Sequence, residues 1–288
     1  MNEFRADLHC HTTCSDGTAS PEEIIQAAAI LKLSGLAITD HDTIDAYAEA
    51  VPLAKKLGIE LISGVEFSAM HNDVSVHILA YSFPLVSPLI KDFCARHNER
   101  RTHRNREILK LLTQHGMPLN DEDVLAVISE HFLKSTSPIH ATIGRPHIAL
   151  TMLKKGYIHS IQEGFNKYLG EGKCCYTPGE SFSVQETIDI IHNAKGLAVI
   201  AHPHLISHPS TLKQLLTMNF DGIECYYARF PKESQERWLK IAKHRQWLVT
   251  GGSDYHGTIK PNNPLGASWV DEERFRILQN HFQEVSTT

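Results

Sequence analysis

The chain predicts an α/β barrel interrupted by a helical insertion, and three observations lead there. Short apolar runs alternate with amphipathic helical segments at both ends of the chain, the pattern of a parallel sheet with crossover helices. Between about residues 87 and 182 that alternation gives way to helices with polar loops. Histidines and carboxylates fall at the same end of nearly every strand, where an α/β barrel keeps its chemistry.

Phe4–Cys10 reads as the first strand. Ser20-Pro21-Glu22-Glu23 then supplies an N-cap with proline at the first helical position, so a helix runs to about Leu33. Gly35–Thr39 is the second strand. A helix from about Ile44 to Leu57, closed by Gly58, leads into the apolar run Ile59–Val65 as the third strand. A turn at His71-Asn72-Asp73 precedes the alternating strand Val74–Tyr81. After the insertion, Leu197–Ala201, Gly222–Cys225 and Trp247–Thr250 read as buried strands separated by helices near Val184–Asn193, Thr211–Met218 and Lys232–His244. Seven strands in a chain of 288 residues close most economically as a barrel. The expected division is 1–86 for the first part of the barrel, 87–182 for the cap and 183–288 for the second part.

With 42% hydrophobic and 21% charged residues the composition is that of a globular protein. No apolar run approaches the roughly 18 residues of a membrane span, and no charged-then-apolar leader opens the chain, so a cytoplasmic protein without membrane contact is expected. A net charge of −5 argues against a stable nucleic-acid complex, although a local basic patch can still bind phosphate. The six cysteines form no CxxC pair and no disulfide framework, and most read as small buried residues. No protein partner is inferable from the sequence.

Nineteen histidines exceed what packing requires, and their positions matter more than their number. His9 and His11 stand one residue apart at the end of strand one, so both face the same side, with Asp16 on the turn beyond; Cys10 between them points the opposite way. His41 ends strand two, Glu66 ends strand three, His77 lies within strand four, His202 ends strand five, and Asp254 and His256 end strand seven. Taken singly, His77 reads as a hydrogen-bonded core histidine, Glu66 as a salt-bridge partner, and Asp16 or Asp254 as a turn residue. Together they do not, because burying so many ionisable groups without a cation costs too much. Asp40 and Asp42, beside His41, should point away and support it instead. Glu224 ends strand six and is the remaining rim carboxylate.

His9-x-His11, Asp16, Asp40-His41, Gly64-x-Glu66, His77, His202-Pro203 and Asp254-x-His256, in that order, resemble the motif set of the polymerase-and-histidinol-phosphatase (PHP) domain superfamily of metal-dependent phosphoesterases. The resemblance implies a distorted (β/α)7 TIM-like barrel and three divalent metal ions. One would be held by His9, His11, Glu66 and Asp254, a second by Glu66, His77 and His202 with Glu66 bridging, and a third by Asp16, His41 and His256. Mixed imidazole and carboxylate donors suit Mn²⁺, Fe²⁺ or Zn²⁺, and Mn²⁺ is the expected ion.

The insertion carries a basic segment, Arg96-His97-Asn98-Glu99-Arg100-Arg101-Thr102-His103-Arg104-Asn105-Arg106, on a predicted helix where arginines neighbour one another at i, i+3 and i, i+4. Such a run is either a solvated helix face or a phosphate grip. Gly144-Arg145-Pro146-His147 places an arginine at a helix start, a geometry that caps a helix or binds an anion. Both segments resemble the cap of the PHP branch that includes nucleoside 3′,5′-bisphosphate phosphatases and 5′→3′ exoribonucleases. By that resemblance Arg101, Thr102, His103, Arg104, Arg145, His147 and His256 contact substrate, and the arginines hold its 5′-phosphate.

The expected reaction is hydrolysis of a small nucleotide's 3′-phosphate, or of short 5′-phosphorylated RNA, by a metal-bridged hydroxide held through Glu66, with no serine or cysteine nucleophile. His256 or His204 could protonate the leaving oxygen, as could a metal-bound water; His204 reads equally as a substrate contact or a loop residue without a role. Two other readings stay open: a phosphatase for another phosphomonoester such as histidinol phosphate, and a non-catalytic metal-binding scaffold.

Overall fold

The computed structural model describes residues 3–132, 142–206, 208–228 and 231–286. Among them lie eight strands, β1 (Ala6–Cys10), β2 (Gly35–Ile38), β3 (Glu60–Ile62), β4 (Gly64–His71), β5 (Val74–Tyr81), β6 (Leu197–Ile200), β7 (Gly222–Tyr227) and β8 (Leu248–Gly252). The described α-helices are α1 (Pro21–Ile30), α2 (Tyr47–Leu57), α3 (Pro88–Gln114), α4 (Asp121–Phe132), α5 (Arg145–Lys154), α6 (Ile161–Gly164), α7 (Val184–Asn193), α8 (Pro209–Leu215), α9 (Lys232–Arg245) and α10 (Glu272–Ser286). The Ser20 cap forms as its sequence dictates: Ser20 Oγ accepts the Glu23 N–H at 3.1 Å, and the Glu23 carboxylate accepts the Ser20 N–H at 2.8 Å.

Two expectations fail together. The third strand is not one strand but two, broken at Ser63, and the sheet is mixed rather than wholly parallel. β4 and β5 pair antiparallel from Gly64 opposite Tyr81 to His71 opposite Val74. The link between them is Asn72 and Asp73, both at positive φ (48° and 63°), and so short a hairpin turn can join only antiparallel neighbours. β5 also runs antiparallel to β6, whereas β1-β2-β3 and β6-β7-β8 are parallel. Glu66 is consequently the third residue of β4 and not a strand end.

The strands form a three-stranded sheet, β1-β2-β3, and a five-stranded sheet, β4-β5-β6-β7-β8. Hydrogen bonds link both edges. Beyond β2, Asp42 N–H donates to Glu66 O at 3.0 Å and Glu66 N–H to Asp40 O at 3.2 Å. Beside β8, Asp254 N–H donates to His9 O at 2.8 Å and His11 N–H to Tyr255 O at 2.9 Å. Gly252 makes this second approach close, since a Cβ there would stand 2.3 Å from the His9 nitrogen. Between the sheets lies an apolar core that includes Leu8, Ile62, Leu79, Tyr81, Val199 and Phe275, and Phe275 comes from α10, a helix the sequence reading did not include.

α3 starts on the larger sheet, where Ile90 and Phe93 join its core, and ends in a separate apolar cluster. There Ile108 and Leu112 pack with Ile148 and Met152 of α5 and with Leu169. The basic segment of α3 lies between these two anchors. No described helix is long and apolar enough to cross a membrane.

Candidate metal centre

His9 and His11 leave the end of β1 on one side, and Cys10 leaves on the other, buried with its thiol directed at Ala37 O (3.4 Å). The loop that follows is fixed by Asp40, whose carboxylate accepts from Thr12 N–H at 2.7 Å, Thr12 Oγ1 at 2.6 Å and Ser15 Oγ at 2.5 Å. Gly17 lets the chain turn back over His11, because a Cβ there would lie 2.3 Å from His11 O. That fold-back brings Asp16 Oδ1 to 3.2 Å from His256 Nε2 and 3.6 Å from His11 Nδ1, and Asp16 Oδ2 to 3.7 Å from His41 Nε2.

Glu66 sits at the middle, with its two oxygens facing different partners. Oε1 lies 2.9 Å from His77 Nδ1 and 2.8 Å from His202 Nε2. Oε2 lies 3.1 Å from His41 Nδ1, 3.2 Å from His11 Nε2 and 3.5 Å from His9 Nε2. Asp254 divides its oxygens in the same way: Oδ1 faces His9, His11 and His256 at 3.3–3.5 Å, and Oδ2 is held by Tyr227 Oη at 2.6 Å and Lys260 Nζ at 2.7 Å. Burial pushes both carboxyls up, and the surrounding histidines, with Lys260 first at Asp254, outweigh it, leaving each well below the ordinary carboxylate range.

All nine residues expected from the sequence as ligands therefore meet in one cluster, buried except for the half-buried His41 and His77. Donor atoms fall within 4.8 Å of one another in four groups: His11–Asp16–His41–His256, His9–His11–Asp254, His9–Glu66–His202 and His41–Glu66–His77. These overlap the three expected sets but regroup them: Glu66 is outside the His9–His11–Asp254 group, His202 and His77 meet Glu66 in separate groups with His9 and His41, and His11 joins Asp16, His41 and His256. The donors fit cations. Nε2 of His9, both ring nitrogens of His11, Nδ1 of His41 and Oδ1 of Asp16 are buried with no hydrogen-bond partner, an arrangement that costs about 1–3 kcal/mol for each group unless something binds it. Backbone strain collects here too: Asp42, His202 and Asp254 hold φ of 58°, 23° and 51° at strand exits.

Glu224, left open as the sixth strand's rim carboxylate, is buried behind His9. Its Oε1 lies 2.8 Å from His9 Nδ1, and Oε2 accepts the His202 N–H at 2.7 Å. A carboxylate only accepts, so His9 carries a proton on Nδ1, and Nε2, which faces Glu66 and Asp254, is the nitrogen left to ligate a cation. Glu224→Gln should weaken metal binding by about 10- to 100-fold without unfolding the chain, as read by metal titration with circular dichroism as the folding control. Unchanged affinity would remove Glu224 from this role.

A cavity of about 330 Å³ opens beside the cluster, lined by Asp16, His41, His77 and His256 together with Arg100, Arg101, Arg104 and Arg145. Ile161, Phe165 and Tyr176 form its apolar wall. Arg101 is not free to clamp an anion with its whole fork: Nε and Nη2 bind Asp42 Oδ2 at 2.6 and 2.5 Å, and Nη2 also donates to Ser68 Oγ at 2.9 Å. The described ion pairs leave Arg100, Arg104 and Arg145 without a carboxylate partner, and Nε of Arg100 and of Arg104 has no acceptor. Burial, then the like charges of Arg101, Arg145 and Arg100, pulls the Arg104 pKa well below its ordinary value. Arg145 sits against the rings of Tyr176 and Phe165, 5.3 and 6.0 Å from their centres.

Other expected contacts fall elsewhere. Thr102 and His103 are on the exposed side of α3 and do not line this cavity. His147 is buried at the start of α5, where its Nδ1 accepts the Gly144 N–H at 2.9 Å and closes the cap of the helix. His204 lines a neighbouring groove with Pro203 and Trp238, 4.5 Å from the Tyr227 ring. Burial and the nearby His202 push its pKa down to about 3, so at neutral pH it has no extra proton to give. Lys260 and Tyr227 were not singled out from the sequence. Tyr227 lies two residues past the expected end of its strand, and nothing in the sequence marks Lys260.

Asp42 anchors the basic helix to the rim through Arg101, with His97 Nδ1 3.2 Å from its Oδ1. Burial raises its pKa, and Arg101, His97 and Arg100 reverse this, holding it far below the ordinary 3.8. A depressed carboxyl stabilises the fold above its unfolded pKa, so this contribution is complete above about pH 5 and fades as pH falls through 3.8 and lower. Asp42→Ala, which strands Arg101, should cost about 3–5 kcal/mol in urea unfolding at pH 7. A loss below roughly 1 kcal/mol would mean that water already screens the pair.

Fold and site together define an α/β protein with a rim of candidate metal-binding histidines and carboxylates beside a basic cavity. The PHP domain family model matches residues 7–171, and the chain belongs to that family. It is 30% identical over 261 residues to the 5'-3' exoribonuclease Rnm of Salmonella typhimurium, covering 87% of this chain and 84% of that one. It is 29% identical over 265 residues to the 3',5'-nucleoside bisphosphate phosphatase of Chromobacterium violaceum, covering 90% of each. Among solved structures, a Bifidobacterium adolescentis chain described as a metal-dependent phosphoesterase superposes with a TM-score of 0.84 at 33% identity over 96% of both chains.

Proposed function

We infer that this chain is a metal-dependent phosphoesterase for small nucleotides that removes the 3′-phosphate of nucleoside 3′,5′-bisphosphates and trims short 5′-phosphorylated RNA. One observation carries the reading: a single cavity is lined both by Asp16, His41, His77 and His256 of the cluster and by Arg100, Arg104 and Arg145, which have no carboxylate partner among the described ion pairs. A substrate with two anions matches both sets of groups, and the apolar surface of Phe165 and Tyr176 in the same cavity suits a nucleobase. The names of the two relatives agree with this.

The bonded edges of the two sheets support a distorted barrel, and the separate apolar cluster under α3–α6 supports residues 87–182 as a cap over its mouth. His9, His11, Glu66 and Asp254 would hold one ion, Glu66, His77 and His202 a second, and Asp16, His41 and His256 a third. Glu66 suits the bridging place because its two oxygens face different histidines. When bound, such ions activate water and neutralise charge building on the phosphoryl oxygens, and the nitrogen and oxygen donors favour Mn²⁺ over softer ions.

The chain's own groups do the rest. Arg104 and Arg145, with Arg100 beside them, bind the 5′-phosphate, while Asp42 keeps Arg101 in place next to them. Tyr227 and Lys260 fix the Asp254 carboxylate so that Oδ1 faces the cluster. Glu224 sets the His9 tautomer. His256 lines the cavity and is better placed to touch substrate than His204.

Phosphate release should be followed with nucleoside bisphosphates, short 5′-phosphorylated RNA and histidinol phosphate, before and after chelation. Release from the bisphosphate is expected, lost on chelation and restored best by Mn²⁺. Preference for histidinol phosphate would overturn the substrate class, and no release with any metal would favour a scaffold.

A further inference from the structure

His115 follows the last residue of α3, and Cys174 and Cys175 lie in the loop beyond the helical turn Phe165–Leu169, far apart in sequence but together in space. A ring nitrogen and both sulfurs lie within 4.8 Å of one another. The Cys174 and Cys175 sulfurs are 3.8 Å apart, and two thiolates on one tetrahedral ion, each bonded at about 2.3 Å, are separated by about 3.8 Å. His115 Nδ1 donates to Leu111 O at 2.8 Å, which leaves Nε2 as the nitrogen able to ligate. His115 and Cys174 are exposed, which gives an ion a way in and a water a fourth position.

We propose that His115, Cys174 and Cys175 form a second metal site, specific for a thiophilic cation of the Zn²⁺ type and sharing no ligand with the rim cluster. Its donors are two thiolates and an imidazole, the soft set that zinc takes and manganese does not. Each thiol gives its proton to solvent as the ion binds. The bound ion ties the end of α3 to the loop carrying Tyr176, the next residue and part of the substrate cavity wall, so it stiffens that wall from behind.

Cobalt(II) separates the two sites in the reduced full-length protein. The rim donors are nitrogen and oxygen alone, so a near-ultraviolet sulfur-to-metal charge-transfer band belongs to a thiolate site. One equivalent of such a band is expected, displaced by Zn²⁺, abolished in Cys174→Ser and weakened at least about tenfold in affinity in His115→Ala. Both substitutions are at exposed positions, and circular dichroism verifies folding. A band that survives Cys174→Ser, no band at saturating cobalt, or an unchanged affinity in His115→Ala overturns the assignment. None of these outcomes depends on phosphoesterase activity.

Discussion

Glu66→Gln should lower phosphate release from a nucleoside bisphosphate by about a thousandfold or more, the equivalent of about 4 kcal/mol or more of lost transition-state stabilisation. Five histidines turn nitrogens towards its two oxygens, at 2.8–3.5 Å. On the proposed bridging role, the substitution removes the negative charge that would let two cations sit side by side and replaces one oxygen with an amide that cannot coordinate. Metal content should fall with activity, measured on the same preparation by elemental analysis. A variant that keeps full metal content, or that turns over within tenfold of the parent, would remove Glu66 from the bridging position.

Arg104→Ala and Arg145→Ala should each lower kcat/KM for a 3′,5′-bisphosphate by roughly 10- to 100-fold, chiefly through KM. Losing a hydrogen bond to a charged group costs about 1.5–3 kcal/mol, and both guanidinium groups lie in the cavity without a carboxylate to neutralise them. The same variants should act on the corresponding 3′-monophosphate at nearly the parent rate. Equal losses on both substrates would make these arginines packing residues. Arg101→Ala belongs in a separate class, because stranding Asp42 lowers stability as well as binding.

The site was more legible in the sequence than the fold around it. His9-x-His11 announces candidate ligands because strand geometry sends alternate residues one way, and Asp254-x-His256 does so because strand ends in an α/β protein gather at one rim. The strand order was harder. Alternation of strand and helix implies parallel pairing, but Asn72-Asp73 allows only a hairpin, and a break after Ile62 divides one apolar run into two strands. The turn was visible and forces its two flanking strands antiparallel; the antiparallel pairing of β5 with β6, across the insertion, is what local pattern does not carry.

Arg101 shows the same limit from the other side. A basic helix near a metal rim points to phosphate, yet which arginine binds phosphate and which is tied to Asp42 depends on an approach between residues 59 positions apart. Lys260 and Tyr227 reach Asp254 through loop and strand-end placements that no motif records. His115, Cys174 and Cys175 escaped for a related reason, since their spacing matches no CxxC pattern and the packing of α3 against its neighbouring loop alone unites them.

The most direct measurement of the central claim is the ratio of kcat/KM for a nucleoside 3′,5′-bisphosphate to that for the matching 3′-monophosphate, with Mn²⁺-loaded protein. Two charge-assisted contacts from the arginine wall to the 5′-phosphate predict a ratio on the order of 100 or more in favour of the bisphosphate. Equal values would contradict the account, because the basic wall would then read nothing on the substrate.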